Sequence, residues 1–270
     1  MTNFERDYYE QSALWEKDFL SIPAERERII RTIELIPPDV QTILDAGCGN
    51  GAFLNSLPDR YQAIGLDFSQ EALQYVKSKA IRGDIAALPF EAASFDLVTC
   101  LEVLEHLPSP VFEKALSELQ RVSKKYIIIS VPNDEDLDFA LVICPACRCW
   151  YNPHRHVRSF SAGKLKTLFE RFALSELQEV GPLEPRPQYN RFLYAAYRLW
   201  RNASPPSTAV CPQCGYQTAE SQISGATEQR GFLPYGITLI KMVAKAIWRP
   251  RWSHRWLLAL YVRNEDGAIR

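Results

Sequence analysis

The segment Thr42-Ile43-Leu44-Asp45-Ala46-Gly47-Cys48-Gly49-Asn50-Gly51 runs from an apolar stretch directly into three glycines spaced two apart. A buried strand that ends this way turns sharply, and without β-carbons its backbone can lie against a ligand. The downstream chain keeps a regular rhythm. Apolar runs at Thr42 to Ala46, Tyr61 to Asp67, Phe95 to Leu101 and Tyr126 to Val131 are separated by helical stretches at Gln70 to Ser78 and Pro110 to Val122, with a weaker strand at Ala80 to Gly83. Continuously apolar strands alternating with helices imply a parallel sheet covered on both faces. Leu174 to Val180 and Trp256 to Val262 supply two more strands, so the expected fold is α/β: a doubly wound, seven-stranded, mostly parallel sheet.

Two long interruptions set the domain organisation. Residues 1–40 read as a helical lead-in whose helix, Glu25 to Ile36, stops at Pro37-Pro38 because a proline restrains its predecessor and donates no amide hydrogen. Residues 41–183 plus 256–264 form the core, broken by insertions at 132–161 and 184–255. The core resumes between them with a helix at Ala162 to Phe172, and the second insertion carries helical patterns at Arg191 to Trp200 and Ile237 to Trp248. Connections of that length are functional or locally folded. With 31 Lys and Arg against 32 Asp and Glu, the formal charge of -1 excludes a global field toward nucleic acid or anionic lipid. No apolar run reaches the roughly 18 residues of a membrane span, and no basic, then apolar, start is present. A cytoplasmic protein is expected. Residues 237–256, where tryptophans alternate with arginines beside an apolar helix, suggest peripheral contact with a membrane.

The glycine turn alone fits a nicotinamide cofactor as well as other nucleosides, since Gly47-x-Gly49-x-x-Ala52 satisfies the dinucleotide fingerprint. Asp67, twenty residues after Gly47 and at the end of the second strand, can accept from both ribose hydroxyls. Asp45-x-Gly47-x-Gly49-x-Gly51, Gly65-Leu66-Asp67-Phe68-Ser69, Gly83-Asp84-Ile85, Leu88-Pro89-Phe90 and Phe95-Asp96-Leu97-Val98 succeed one another in order. In these motifs the chain resembles the class I S-adenosylmethionine-dependent methyltransferases, with their Rossmann-like fold, over roughly residues 40–180 plus the last strand. The resemblance implies that Gly47, Gly49 and Gly51 cradle the methionine and ribose, with Asp45 holding the turn and the amino-acid end. Asp67 would bind the ribose hydroxyls and Asp84 the adenine amino group, Ile85 or Phe68 would pack on the ring, and Cys100 and Leu101 would face the sulfonium.

Cys100-Leu101-Glu102-Val103-Leu104-Glu105-His106-Leu107-Pro108 resembles the ubiquinone-pathway O-methyltransferases in particular. On a helical turn Glu102, Glu105 and His106 share one face. They suit a divalent ion such as Mg or Mn, with His154 or His156 as a later ligand, as in small-RNA methyltransferases that carry this string. Alternatively the carboxylates cap and solvate a helix start while His106 packs or hydrogen-bonds nearby, and a further reading makes His106 a general base. His156 lies in a His-x-x-x-Phe-Ser string that in many methyltransferases faces the acceptor, and it equally suits a helix cap at Ser161.

Of seven cysteines, five lie at 144, 147, 149, 211 and 214. Cys144-Pro145-Ala146-Cys147 and Cys211-Pro212-Gln213-Cys214 each have the form of a zinc knuckle. A structural zinc held by all four would staple the two insertions into a lid, with Cys149, His154 or His156 as substitute ligands. The expected activity is O-methylation of a small-molecule or lipid/glycan-linked acceptor. An RNA methyltransferase is the alternative, opposed by the neutral charge, which makes a nucleic acid an unlikely partner. A non-catalytic, zinc-bearing interaction protein is the reading from another class.

Overall fold

The computed structural model describes residues 8–138, 141–186, 205, 209–217 and 251–264. A four-residue helix α1 (Ser12–Trp15), a 3-10 turn (Phe19–Ser21) and helix α2 (Pro23–Glu34) lead into strand β1 (Thr42–Ala46). Then come β2 (Gln62–Asp67), α3 (Gln70–Leu73), β3 (Lys79–Arg82), β4 (Phe95–Leu101), α4 (Ser109–Val122) and β5 (Ser123–Pro132). The short β6 (Val142–Ile143) and β7 (Trp150–Tyr151) pair with each other, and α5 (Ala162–Leu165), β8 (Phe172–Arg186) and β9 (Arg251–Arg263) complete the chain order.

The main sheet has seven strands in the order β3-β2-β1-β4-β5-β9-β8. Neighbours from β3 to β5 are parallel, and β9 runs antiparallel to both β5 and β8. The order reverses between β1 and β4, and ligands of such sheets bind at the carboxyl ends of the strands beside that switch. Alternation along the strands builds a core on each face. Leu44, Val98, Cys100, Ile127 and Ile129 pack with Phe112, Leu116 and Leu119 of α4. Ile43, Leu97, Ile128 and Leu258 pack with Ile29 of α2 and with Leu35, Ile36 and Val40 beyond it. A third cluster, Val142, Cys144, Tyr151, Ala209 and Cys211, joins the two cysteine-bearing segments.

Several helices are shorter than the sequence predicts. The turn after β1 enters only a 3-10 turn at Leu54–Ser56, since Pro58 forces Leu57 into an extended conformation. The helix expected at Gln70 to Ser78 stops at Leu73. There the Asn55 side chain donates to the Tyr75 carbonyl and accepts from the Lys77 amide, drawing both out of a helical ladder. The helix expected at Ala162 to Phe172 ends at Leu165 and continues as turns closed by three-residue bonds.

The strand expected at Leu174 to Val180 extends through Arg186 because β9 begins at Arg251 and pairs along its length. That pairing assigns the last six residues of the stretch 237–256, read as interfacial, to the sheet. Residues 251–256 are sheet, Trp256 is buried with the Arg28 and Arg255 guanidinium groups 5.2 and 5.1 Å from its ring, and Arg251 and Trp252 are exposed. Residues 237–250, and the helices expected at Arg191 to Trp200 and Ile237 to Trp248, lie outside the described residues. Among the described residues no helix is long and apolar enough to cross a membrane.

Candidate active site

At the carboxyl end of β1 the glycine turn takes the backbone that its composition calls for. Gly47, Gly49 and Gly51 all have positive φ, at 84°, 51° and 77°. A β-carbon on Gly47 would lie 2.4 Å from Val103 Cγ2. The Gly47 and Cys48 amides donate to the Leu66 carbonyl at 2.7 and 3.0 Å, tying the turn to β2. Asp67, at the end of β2, is buried and accepts from the Gly49 amide at 2.8 Å and the Ser69 amide at 2.9 Å. Burial raises its pKa against the pull of those amides. Asp45 is buried beneath the turn, accepts from Thr99 Oγ1 at 2.7 Å, and is pushed by burial up to about 7.

The remaining residues expected at the cofactor fall into different environments. Phe68 is half-buried, with the Tyr9 ring edge-on at 5.3 Å. Asp84 is exposed and accepts from the Ala86 amide at 2.9 Å, whereas Ile85 is buried in the core. Cys100 and Leu101 are neighbours in a strand and point to opposite faces of the sheet. Cys100 is fully buried among the side chains packed on α4, and Leu101 packs in the other core.

An unexpected strap lies over this edge. Asn50 Nδ2 donates to the Trp15 and Lys17 carbonyls, Ser69 Oγ donates to the Tyr9 carbonyl, and Glu10 accepts from the Glu71 amide and pairs with Arg82. The Trp15 ring closes on Gly49.

At the end of β4 the shared helical face does not form. Glu102 sits at φ 56° and accepts from Ser130 Oγ at 2.6 Å, and only Leu104–His106 make a 3-10 turn. The left-handed residue turns Glu102 away, so the group that comes together is Glu105, His106 and His156, with ligand atoms within 4.8 Å of one another. Glu105 is 1% exposed, and among the described residues neither of its oxygens has a hydrogen-bond partner. Burial and the neighbouring Glu102 carboxylate hold its pKa well above the usual range. Burial and His156 push the His106 pKa down to about 3, so its imidazole is neutral at physiological pH. His154 is exposed, with its ring 5.8 Å from that of His156. Neither histidine caps α5; Ser161 Oγ accepts from the Lys164 amide instead.

The cysteine pairs, far apart in sequence, meet. Cys144 and Cys214 sulfurs are 3.6 Å apart, as are those of Cys147 and Cys211, and Cys149 lies 3.3 Å from Cys211. Each knuckle is closed by a main-chain bond, Arg148 to Cys144 and Gly215 to Cys211, both 3.0 Å. Despite its burial, the Cys211 thiol is pulled down to about 6 by the Cys214 and Gln213 amides.

Three residues of this region carry no signal in the sequence. Tyr9 places a buried hydroxyl, unpartnered among the described residues, beside Phe68 and His106. Arg155 donates to the Val210 carbonyl at 2.6 Å and lies over the Tyr8 ring. Glu135 meets His156. All three act across long sequence separations, which no periodicity or motif reports.

Comparison with known proteins bears on the domain as a whole. A family profile described as a methyltransferase domain matches residues 43–126. An uncharacterized protein of Methanocaldococcus jannaschii is 41% identical over 97 residues, covering 34% of this chain and 41% of its own. A ubiquinone biosynthesis O-methyltransferase of Idiomarina loihiensis is 29% identical over 151 residues, covering 50% and 62%. The chain thus spans less than two thirds of the length of either relative. Among solved structures, a complex of the Haloferax volcanii Trm112 methyltransferase activator with a methyltransferase superposes with a TM-score of 0.55 at 15% identity, covering 96% of this chain and 98% of that one. A SAM-dependent methyltransferase of Archaeoglobus fulgidus gives 0.50 at 16% identity, covering 93% and 96%. At such identities the structures speak for the fold alone, which agrees with the observed strand order. Residues 43–126 thus match a methyltransferase domain, and the sheet order and glycine turn agree with the fold of the S-adenosylmethionine-dependent methyltransferases.

Proposed function

We propose that the protein transfers the methyl group of S-adenosylmethionine to a hydroxyl of a small-molecule or lipid/glycan-linked acceptor. The observation that carries this reading is the neutral His106 and the His156 ring beside the buried Glu105, at the carboxyl end of β4 and next to the glycine turn. S-adenosylmethionine supplies an electrophilic methyl group for direct displacement. Positioning the acceptor in line then provides most of the catalysis. Gly47, Gly49 and Gly51 let the backbone approach the ligand, Asp45 and Asp67 present carboxylates to its amino-acid and ribose ends, and Phe68 packs at the adenine. His106, whose imidazole is neutral, stands with His156 where a hydroxyl proton can be taken.

Calorimetry tests the cofactor site. S-adenosylhomocysteine should bind in the micromolar range, about -8 kcal/mol, and Asp67→Ala should weaken it at least tenfold; tighter binding of NAD would overturn the assignment. Comparing metabolites and lipids of cells with and without the protein identifies the acceptor.

A divalent ion at Glu105, His106 and His156 is a second reading, favoured by the two unpartnered oxygens of Glu105, since a buried carboxylate without a partner is costly. Glu102 does not belong to this donor set. If an ion binds, a mild chelator abolishes turnover, magnesium or manganese restores it, and S-adenosylhomocysteine affinity stays unchanged.

Four sulfurs at Cys144, Cys147, Cys211 and Cys214 also fit a tetrahedral zinc. A bond of about 2.3 Å gives sulfur separations of roughly 3.8 Å, close to the two 3.6 Å separations present. The ion would be structural, tying the segments at 132–161 and 209–217 into a lid beside the histidines.

A further inference from the structure

We propose that Glu135 is a positioning residue that fixes the tautomer and the aim of His156. This rests on the reading of His156 as the base that faces the acceptor. Glu135 Oε2 lies 2.5 Å from His156 Nδ1, and both side chains are 15% exposed. A carboxylate oxygen only accepts, so the proton of the neutral ring stays on Nδ1 and the lone pair on Nε2. The other nitrogen is thereby left free for a proton or a ligand.

The backbone holds this pair from both sides. Asn133 bridges Phe160, and the Asp134 amide donates to the Phe160 carbonyl at 2.7 Å, clasping the segment after β5 to the one before α5. On the far side the Val157 amide donates to the Glu105 carbonyl at 2.8 Å. His156 therefore stands between two main-chain clasps, with the His106 ring 4.8 Å away. Two clasped segments set where the imidazole sits, but a ring can still flip about its last torsion. Among the described residues, the Glu135 carboxylate is what distinguishes its two nitrogens. The same hydrogen bond would orient the ring were His156 a metal ligand, so the placement does not depend on how the second reading resolves.

The test is a nitrogen-15 correlation spectrum of the histidine rings, recorded on the full chain with S-adenosylhomocysteine at about pH 8, above the ordinary imidazole range. His156 should show the Nδ1–H tautomer. Glu135→Ala should lose it, and Glu135→Gln, whose amide oxygen still accepts, should keep it. If the alanine variant does not fold, Glu135→Asp, one methylene short of the ring, should show partial loss. With an identified acceptor, Glu135→Ala should lower kcat at least tenfold while leaving KM for S-adenosylmethionine unchanged, and Glu135→Gln should recover part of the rate. An Nε2–H tautomer in the wild type, or one unchanged in Glu135→Ala, overturns the proposal. Loss of the Nδ1–H signature in a protein that methylates none of the phenols and catechols offered supports the role of Glu135 and counts against the proposed activity instead.

Discussion

Asp45 holds a carboxyl group under the glycine turn, where it accepts a hydrogen bond from Thr99. Burial raises its pKa from the ordinary 3.8 to about 7. The unfolded chain releases this proton near pH 4 and the folded chain only near pH 7, so between those values the folded state binds more protons and stability falls as pH rises. A shift of that size corresponds to a loss on the order of 4 kcal/mol across the window. Urea unfolding between about pH 4 and pH 8 should show this decline in the wild type. In Asp45→Asn, which keeps an acceptor for Thr99, the decline should flatten. A bound ligand cation, such as the amino group expected at this end of the cofactor, should offset the same cost, so the affinity for S-adenosylhomocysteine should rise as pH increases toward 7.

At the scale of elements, the strap through α1 is the piece most exposed to test. Its hydrogen bonds end on Asn50, Ser69, Glu71 and Arg82, around the turn and the end of β2, and Trp15 covers Gly49. If the cofactor lies on the glycine turn, the strap covers its path to solvent at this edge. Trp15→Ala removes the covering ring and leaves Asp67 and the glycines in place. Release of S-adenosylhomocysteine should therefore quicken about three- to tenfold, close to 1 kcal/mol, with a smaller change in association. Stopped-flow displacement reads both rates; unchanged release would mean that the strap does not cover the ligand.

The whole molecule couples a rigid sheet to a cysteine-bound appendage. The thiols lie on segments more than sixty residues apart in the chain, so a metal held by them would supply folding energy to the two segments together rather than to either alone. Cys211→Ser should reduce zinc content to near zero and increase amide exchange over residues 141–158 and 209–217. S-adenosylhomocysteine affinity should change less than twofold, because Asp67 and the glycines are carried by the sheet. Arg155 connects the appendage to the strap, through the Val210 carbonyl and the Tyr8 ring, so acceptor turnover should fall far more than cofactor affinity. Elemental analysis of protein purified without chelator, with exchange mass spectrometry on the variant, checks both parts.

What the sequence determined by itself is local. Apolar runs specify strands because alternate faces of a covered sheet must both be buried, which is why β4 falls at Phe95–Leu101 as read. Three glycines at a strand end specify a positive-φ turn because few other residues take that backbone without strain. Each Cys-x-x-Cys knuckle is likewise local, a spacing that presents two thiolates together. Tertiary structure alone decided the rest. Whether Gln70 to Ser78 continued as a helix depended on Asn55 reaching the Tyr75 and Lys77 main chain. Whether Glu102 joined Glu105 and His106 depended on one left-handed residue bonded to Ser130 across the sheet. Glu135, Tyr9 and Arg155 reach the site only through long-range contacts, and a hydrogen bond between residues distant in the chain leaves no trace in the spacing of either one.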